Sequence, residues 1–468
     1  MPQEFMVGLH AGRIPHFDDY KDVNAYIQPF KRPSTGENPS LISDHNTNNT
    51  DDGVQSPTQF VMDIDSDSSS THNPLTHPKS ELPSTFVPGF HDEAAVRRLR
   101  YKKLGSTGMS VSALAIGGGG LERFYGSLDE DRAIEEIQSA IRLGLNYVHT
   151  APWYGAGKSE AIVGKALAGV PRKAYFIATK VGRYNANVEE MFDFSAERVT
   201  KSIEESLSRL GLTYVDVIQV HDLEFAPNVD VILNQTLPAL ERLRQAGKAR
   251  FIGITGYPTL ELLEVVRKST IRIDTVLSYC RYGFYNNDLM DIIPELRSKG
   301  VGVINAAPLG LGLLSKTGPE DWHPASDSLK LACRAAVLYT QEQEMDLEKV
   351  VLKFCYWSDD IDTTVASMVC VERPDLVNWN INAVVDPLTD KERMLVEDIK
   401  AQFFRVLDKT HWEGEPVARY WDALREEELM HKHHQNHPLT DAVMSSNAKD
   451  LFAAPGEETT LFYRKSTI

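Results

Sequence analysis

Residues 195–222, SAERVTKSIEESLSRLGLTYVDVIQVHD, contain one complete helix, turn and strand, and this unit decides the fold. Ser195 is a residue type that caps helix N-termini, and Ala196–Leu210 has the period of an amphipathic helix. Gly211 suits the left-handed conformation that ends a helix. The apolar run Val215–Val220 is typical of a buried strand, and two polar residues follow it. The stretch therefore predicts a helix that leads into a buried strand.

The same unit recurs through the middle of the chain. Eight short apolar runs have the length of buried strands: Ala113–Ile116, Tyr147–Thr150, Tyr175–Thr179, Val215–Val220, Arg250–Ile254, Thr275–Tyr279, Val301–Ala306 and Thr363–Ser367. Helix-like segments such as Asp129–Leu143 and Val231–Gln245 lie between them. Several helices end in a glycine that suits a left-handed cap: Gly144, Gly211, Gly247 and Gly300. Eight strands alternating with helices predict an α/β fold with a parallel sheet, as in a closed (β/α)8 TIM barrel, although a doubly wound open sheet has the same periodicity.

The two ends of the chain differ from this middle part. Residues 1–90 hold 12 acidic and 5 basic residues and 10 of the 24 prolines, and they show no helical or strand period. Because such a composition buries too little apolar surface to offset chain entropy, we expect a disordered acidic arm over residues 1–92. The sequence is polar again near its end, so we expect a barrel over 93–421 and a flexible polar tail over 422–468.

Composition excludes several classes of function. The chain has 468 residues, 49 basic and 66 acidic, and its net charge of −17 argues against nucleic-acid binding, which needs clustered Lys and Arg. No apolar run approaches the roughly 20 residues that span a bilayer, and the start lacks a secretory signal. Four cysteines in so long a chain argue against a disulfide framework, so we expect a cytoplasmic protein. The His-rich run at 431–437 lies in a polar segment, and no metal site is predicted.

A barrel fold locates the chemistry, because active sites of such barrels lie at the carboxyl ends of the strands. Tyr154 follows the second predicted strand, Lys180 ends the third and His221 ends the fourth. A phenol with a pKa of about 10 is a poor acid or base at neutral pH, but a neighbouring ammonium lowers that pKa. An imidazole can orient a carbonyl or alcohol oxygen. Although each residue alone is more often structural, the three together suit reversible carbonyl reduction with a cofactor hydride.

Two glycine motifs match phosphate-binding sites only in part. Gly157-Lys158-Ser159 resembles the end of a P-loop, but Pro152 stands where the first glycine is required. The run Gly117–Gly120 does not complete a G-x-G-x-x-G fingerprint, because Glu122 and Arg123 occupy the positions of the third glycine. We interpret this run as a loop that lets a ligand approach the backbone, or as a plain flexible turn.

Several ordered motifs resemble the aldo-keto reductase family. They are the opening hairpin Tyr101–Gly108, the tyrosine loop Ala151–Gly155, the lysine strand Ala178–Lys180 and the histidine strand Tyr214–His221. Within the family the likeness is to the L-galactose dehydrogenase branch and its animal relatives. Four segments carry this likeness: Phe192–Arg198, Phe251–Gly256, Leu277–Cys280 and Trp322–Ser326. The resemblance covers residues 95–421 and implies a (β/α)8 barrel, without a Rossmann domain, that binds a nicotinamide dinucleotide in extended form.

The resemblance also implies a role for each matching position. Tyr154 would be the general acid and base, Lys180 would lower its pKa, and His221 would orient the substrate carbonyl. Eight positions would contact the dinucleotide: Gly117 in the glycine run, Thr255 and Gly256 at the nicotinamide carboxamide, Pro308, Leu309, Gly310 and Gly312 along the pyrophosphate, and Asn380 at the adenine.

One catalytic position departs from the family pattern. The family has an Asp five residues before the tyrosine, and here that position is His149. The Asp accepts a hydrogen bond from the lysine and balances its charge, whereas a neutral imidazole accepts one bond and carries no charge. Lys180 should then ionise less readily if it is desolvated, so activity would be reduced, shifted in pH or lost. In the alternative, His149 fills space and water holds the lysine.

The last cofactor loop bears on the choice between NAD and NADP. Family members that prefer NADP place Lys, Ser and Arg around the ribose phosphate, whereas here Leu376 occupies the Arg position. Glu372 and Asp375 add negative charge, which would match a 2′-phosphate poorly unless Arg373 reaches it. We therefore expect NAD or NADP as cofactor, with a weak preference for NAD.

Two functions follow from these patterns. The first is an oxidoreductase that transfers hydride between a nicotinamide dinucleotide and C1 of an aldose or an aldehyde substrate. The second is a dinucleotide-binding barrel with weak or no catalysis that acts as a sensor or interaction protein. For this second function, the arm over residues 1–92 would present motifs to a protein partner.

Overall fold

The computed structural model describes residues 81–124, 130–367 and 375–436. Within these residues the strands β1 to β10 are, in chain order, Tyr101–Lys103, Ser110–Ser112, Leu114–Gly117, Tyr147–His149, Phe176–Val181, Val215–Val220, Ala249–Gly256, Thr275–Tyr279, Gly302–Ala306 and Thr363–Ser367. The helices α1 to α14 are Glu93–Val96, Glu130–Arg142, Lys158–Leu167, Val188–Met191, Ala196–Leu210, Val229–Val231, Leu237–Gln245, Thr259–Lys268, Leu289–Ser298, Asp327–Glu342, Leu347–Tyr356, Leu376–Val384, Asp390–Ile399 and Glu415–Asn436.

Strands β3 to β10 form a closed barrel in which every neighbouring pair is parallel and β10 pairs with β3. Closure excludes the open sheet and confirms the (β/α)8 prediction. Parallel strands covered by helices are buried on both faces, which is why their sequences are continuous apolar runs. The antiparallel hairpin β1–β2 closes the amino-terminal end, where Leu104, Met109 and Val111 pack into the barrel interior.

The local sequence signals of the helices agree with the structure. Helix α5 spans Ala196–Leu210 as predicted, and the Ser195 hydroxyl accepts the N–H of Arg198. The four predicted glycine caps, at 144, 211, 247 and 300, all have positive φ. The predicted helix Val231–Gln245 is instead divided between α6, a π-helical segment Ile232–Thr236 and α7. Pro238, in the first turn of α7, has no N–H to donate, which interrupts the α-helical hydrogen bonds at this point.

The predicted arm extends too far along the chain. Residues 81–92 pack against the barrel, where the buried Thr85 hydroxyl accepts a hydrogen bond from Asn146 Nδ2 at 2.9 Å. Asp92 caps α1, and its N–H donates to the Arg142 carbonyl at 2.9 Å. The prediction of disorder is therefore wrong for 81–92, and residues 1–80 lie outside the described part of the chain.

The predicted tail begins too early, because helix α14 continues to Asn436. Its Tyr420 side chain is buried edge-on against the rings of Phe192 and Phe225, so the start of the helix belongs to the barrel. The later turns are polar because they face solvent, and their lack of an apolar stripe conceals the helix in the sequence. Residues 437–468 lie outside the described residues.

Three further predictions concern cysteines, membranes and metals. Cys280, Cys333 and Cys355 are free and buried, as expected of core residues, whereas Cys370 lies outside the described segments. None of the helices in the described ranges has the length and apolarity to cross a membrane. Those same ranges contain no group of three or more side chains that could hold a metal ion.

Candidate active site

The predicted tyrosine, lysine and histidine meet at the carboxyl end of the barrel. Lys180 lies near the end of β5, and its Nζ atom donates to the Tyr154 hydroxyl at 2.9 Å and to the Thr150 carbonyl at 3.0 Å. The ring of His221, which directly follows β6, meets the Tyr154 ring edge-on with the centroids 5.8 Å apart. The strand ends thus form a compact phenol, ammonium and imidazole cluster.

Burial controls the charge of Lys180, whose side chain is 1% exposed. Burial lowers the pKa of Lys180 from 10.5 to about 7. The carboxylates of Asp222 and Glu160 act in the opposite direction, and the Arg183 guanidinium lowers that pKa further. Near neutral pH the ammonium and the neutral amine are therefore close in free energy, and nearby charges decide between them.

His149 occupies the position of the missing Asp and contacts the lysine. Its Nε2 atom lies 2.9 Å from Gln219 Oε1, and a carbonyl oxygen can only accept, so Nε2 carries the proton. The unprotonated Nδ1 then faces Lys180 Nζ at 3.5 Å. Burial, followed by the Lys180 charge, holds the pKa of His149 well below its ordinary value. The neutral His149 can therefore accept only a long hydrogen bond from Lys180.

His221 is also neutral. Burial lowers its pKa well below the ordinary value, and the charges of Lys180 and Arg183 act in the same direction. Its Nδ1 atom is buried without a hydrogen-bond partner among the described residues. A neutral imidazole at this place carries no charge. It can donate a hydrogen bond to a substrate oxygen or accept one from a substrate hydroxyl.

An ion pair beside this cluster is absent from the sequence predictions. Arg183 Nη1 lies 2.7 Å from Asp222 Oδ2, and the guanidinium stacks on the Trp153 ring with 4.0 Å to its centroid. Asp222 Oδ2 lies 3.7 Å from His221 Nε2. The available signal is adjacency, because Asp222 follows His221 and Arg183 stands three residues after Lys180.

A second acidic residue lies close to this pair. Glu224 Oε1 accepts the N–H of Tyr257 at 2.9 Å, whereas Oε2 is buried without a partner in the described segments. Burial, followed by the negative charge of Asp222, raises the pKa of Glu224 well above its ordinary value. Glu224 therefore binds a proton more readily than an ordinary glutamate.

Three of the predicted cofactor positions lie at strand ends. Gly117 ends β3 and pairs with His149, and a Cβ atom there would lie 2.7 Å from the Ala366 carbonyl oxygen. Thr255, near the end of β7, accepts the N–H of Asp222 through its hydroxyl at 3.2 Å. Gly256 ends β7, and a Cβ atom there would lie 2.7 Å from Glu224 Oε2. Only glycine fits at 117 and 256 without displacement of these neighbours.

The predicted pyrophosphate positions Pro308, Leu309, Gly310 and Gly312 form the turn after β9. Gly310, Leu311 and Gly312 have successive positive φ angles of 64°, 55° and 105°. Among the described residues, the N–H groups of Leu311 and Gly312 donate to no acceptor. Free backbone N–H groups in such a turn form a concave site for an anion.

His323 anchors this turn, and the sequence gives no role for it beyond its place in the Trp322–Ser326 motif. Its Nε2 atom donates to the Gly310 carbonyl at 3.0 Å, and its Nδ1 atom accepts the N–H of Ala325 at 3.1 Å. The ring also packs edge-on against Trp412 with the centroids 4.8 Å apart. The side chain thus connects the turn to the segment before α14.

Asn380 lies apart from the catalytic cluster, in α12. It is 2% exposed, and its Nδ2 atom donates to the Ser367 carbonyl at the end of β10 at 2.9 Å. Leu376 is buried at the start of the same helix, and Asp375 just before it is exposed. Glu372 and Arg373 lie outside the described residues.

Comparison with known proteins agrees with the barrel. A model of the aldo/keto reductase family matches residues 113–401. L-galactose dehydrogenase from Arabidopsis thaliana is 44% identical over 293 residues, which cover 62% of this chain and 89% of that protein. D-arabinose 1-dehydrogenase from Saccharomyces cerevisiae is 32% identical over 324 residues, which cover 65% of this chain and 93% of that protein.

A solved structure shows the same architecture. The holo form of an aldo-keto reductase from Bacillus halodurans superposes with a TM-score of 0.51 at 28% identity, and the match covers 64% of this chain and 96% of that one. The family model spans more than half of the chain, and this chain covers most of the length of its relatives. The chain therefore belongs to the aldo/keto reductase family.

Proposed function

We propose that this protein is an aldose 1-dehydrogenase that uses a nicotinamide dinucleotide and also reduces aldehydes in the reverse direction. The observation that carries the proposal is the 2.9 Å hydrogen bond from Lys180 Nζ to the Tyr154 hydroxyl at the carboxyl end of the barrel. The family membership and two relatives whose names describe sugar dehydrogenases support the substrate class.

Tyr154 moves the proton in this reaction. In oxidation the C1–H and the C1 hydroxyl O–H bonds break, a C1=O bond forms, and the phenolic oxygen of Tyr154 takes the hydroxyl proton. In reduction the same oxygen returns the proton to the substrate carbonyl. A bound dinucleotide accepts the C1 hydride in oxidation and supplies it in reduction.

Lys180 and His221 assist the tyrosine in different ways. The Lys180 ammonium stabilises the phenolate form of Tyr154 through its hydrogen bond and its charge. His221 lies against the same ring as a neutral imidazole, and its buried Nδ1 has no partner in the described ranges. We assign it the orientation of the substrate oxygen.

The residues present fit a dinucleotide. The N–H groups of Leu311 and Gly312 point to a phosphate site in the turn after β9. Asn380 supports the site indirectly in our proposal, because its amide holds the Ser367 carbonyl at the end of β10.

We further propose a preference for NAD over NADP. Asp375 is exposed just before α12, where a carboxylate repels a ribose 2′-phosphate, and Leu376 is a buried apolar residue that cannot bind one. A free ribose hydroxyl suits an acidic neighbour better.

Turnover of the purified full chain tests the function. We expect reduction of NAD+ with one or more members of an aldose panel that includes L-galactose and D-arabinose. Tyr154→Phe should lower kcat by at least about 100-fold, because the proton acceptor is lost, and should leave the dinucleotide Kd unchanged. Dinucleotide binding without turnover of any aldose would overturn the proposal and would favour a sensor or interaction protein.

A further inference from the structure

Among the described residues, Lys180 has no charged partner in direct contact. Its Nζ atom contacts the Thr150 carbonyl at 3.0 Å, the Tyr154 hydroxyl at 2.9 Å and the neutral Nδ1 of His149 at 3.5 Å. Burial of an ammonium costs free energy unless a negative charge offsets the loss of its hydration. The catalytic role of Lys180 therefore requires a carboxylate elsewhere.

Six titratable or charged groups act on Lys180 from the elements packed against it, and a seventh lies beside Asp222: His149 on β4, Tyr154 in the loop after it, Glu160 on α3, Arg183 after β5, His221 and Asp222 after β6, and Glu224 as the seventh. Three of them are acids. Glu160 has its own cation, because Oε2 pairs with Arg209 at 2.7 Å while Oε1 accepts the Thr179 hydroxyl at 2.5 Å. Its charge is thus balanced locally.

Glu224 and Asp222 are the remaining two acids of the cluster. Burial, followed by the nearby charge of Asp222, raises the pKa of Glu224 well above its ordinary value, so it supplies a negative charge less readily. Burial also raises the pKa of Asp222, but the Arg183 guanidinium lies 2.7 Å from Oδ2 and opposes that shift by favouring the carboxylate. Asp222 is therefore the acid whose charge Arg183 and Lys180 can share.

The strand register places Asp222 beside the lysine strand. Val181 of β5 pairs with Val220 of β6, and the His221 N–H donates to the Val181 carbonyl at 2.8 Å. Asp222 is the next residue, so its carboxylate lies against the segment that carries both Lys180 and Arg183. The buried Lys180 and the partly exposed Arg183 therefore lie near one carboxylate at the end of two adjacent strands.

We propose that Asp222 supplies, from the end of the neighbouring strand, the negative charge that keeps Lys180 cationic while His149 stands in the position of the missing acid. The proposal rests on the dehydrogenase function above. Asp222 acts through Lys180, so it is a positioning residue for the proton transfer of Tyr154. The burial of Asp222 supports such a role. Asp222 is 3% exposed, so solvent screens the electric field of its carboxylate only weakly.

A structural role for Asp222 would have different consequences. Asp222 also holds Arg183, which stacks on Trp153 next to the catalytic tyrosine, and its loss could simply loosen that loop. Asp222→Asn separates the two roles. Asn tolerates the left-handed φ of 54° at this position and keeps an oxygen that accepts from Arg183, but it carries no charge.

The experiment measures the ionisation of Lys180 directly and through catalysis. The pKa of Lys180 is obtained from 13C NMR of lysine-labelled full-length protein, with Lys180→Met to assign the signal. The reductive kcat/KM for glyceraldehyde with NADH is measured from pH 5.5 to 9.5. Removal of a negative charge disfavours the ammonium, so Asp222→Asn should lower the Lys180 pKa, and with it the alkaline limit of reduction, by about 1 pH unit.

Two further variants test the direction of the change in the Lys180 pKa. Arg183→Gln removes a positive charge and should raise the Lys180 pKa. In the double variant His149→Asp with Asp222→Asn, a carboxylate on β4 should return the Lys180 pKa to the wild-type value or above, although it lies too far away to restore the charge beside Arg183. An unchanged Lys180 pKa in Asp222→Asn, or no recovery in the double variant, would overturn the proposal.

The NMR titration keeps the two proposals distinguishable. If wild-type protein reduces no aldehyde and oxidises no aldose, the dehydrogenase function fails, while a lowered Lys180 pKa in Asp222→Asn would still support the charge assignment. If wild-type turnover is normal and the Lys180 pKa does not respond to residue 222, the function stands and the assignment of Asp222 is wrong.

Discussion

His149 donates from Nε2 to the Oε1 atom of Gln219 at 2.9 Å, a bond that joins β4 to β6 across the lysine strand. The bond selects one tautomer of the imidazole and turns its lone pair toward Lys180. The substitution of the family Asp thus keeps the acceptor and loses the charge. We therefore expect the consequence for catalysis to depend on pH more than on the shape of the side chain.

His149→Asp should extend the pH range of reduction. A carboxylate at this place favours the Lys180 ammonium, whose pKa burial lowers to about 7, so the alkaline limit of kcat/KM should rise by about 1 pH unit or more. In our proposal, reduction requires both Tyr154 and Lys180 in their protonated forms. A raised Lys180 pKa therefore preserves activity at higher pH. Steady-state rates between pH 6 and 10 measure the limit.

His149→Asn is the matched control for that variant. It offers an oxygen to Lys180 without a charge, so the alkaline limit should stay near the wild-type value. Equal shifts in the Asp and Asn variants would show that shape, and not charge, governs this position.

The preference for NAD should respond to Asp375. Removal of its exposed carboxylate weakens the repulsion of a 2′-phosphate, so Asp375→Asn should improve the Kd of NADP+ relative to NAD+ by about 5-fold at low salt, and by less at high salt. Asp386→Asn, at the other end of α12, should leave the ratio unchanged. Identical Kd ratios in the wild type and Asp375→Asn would show that Asp375 does not determine the choice of cofactor.

The sequence predicts the barrel because its signals are local. Ser195, the period of Ala196–Leu210 and Gly211 each act within a few residues, and the helix has those bounds in the structure. The meeting of Tyr154 and Lys180 is predictable as well, since parallel strands end at one edge of a barrel.

Contacts between strands are harder to predict because they depend on register. The Arg183 and Asp222 pair exists because β5 and β6 bring their ends together, and neither residue has a distinctive local pattern. The tie between Asn380 and Ser367 joins a helix to a strand across a connection outside the described residues. In both cases the interaction is tertiary, so periodicity and capping signals do not report it.

The ion pair between Glu160 and Arg209 should be important for stability. Glu160 is fully buried and Arg209 only partly exposed, so Glu160→Gln leaves a cation without its partner and should lower the free energy of unfolding by about 3 kcal/mol. Glu204→Gln removes an exposed pair with Lys248 and should cost less than about 1 kcal/mol. Urea unfolding at pH 7 compares the two, and similar losses would contradict the importance of burial.

The turn after β9 should depend on His323 for cofactor affinity. Loss of the hydrogen bond from Nε2 to the Gly310 carbonyl frees the turn, so His323→Ala should raise the dinucleotide Kd by about 5-fold and leave kcat nearly unchanged. Quenching of tryptophan fluorescence measures the Kd, since Trp322 and Trp412 lie against this ring. His91→Ala, in the segment before α1, is the control, and an equal effect there would argue against a role for the turn.

His323 should also make the protein sensitive to acid. Burial lowers its pKa from 6.5 to about 4, although the bond to Gly310 opposes that shift. The unfolded chain therefore takes up the proton first as the pH falls below about 6.5, and the His323 contribution destabilises the fold progressively down to about pH 4. Between pH 7 and 5.5 this contribution amounts to about 1 kcal/mol. His323→Gln can form both hydrogen bonds and cannot titrate, so its free energy of unfolding in urea should fall by about 1 kcal/mol less than that of the wild type over this interval, whereas parallel losses would mean that His323 is not buried as a neutral imidazole.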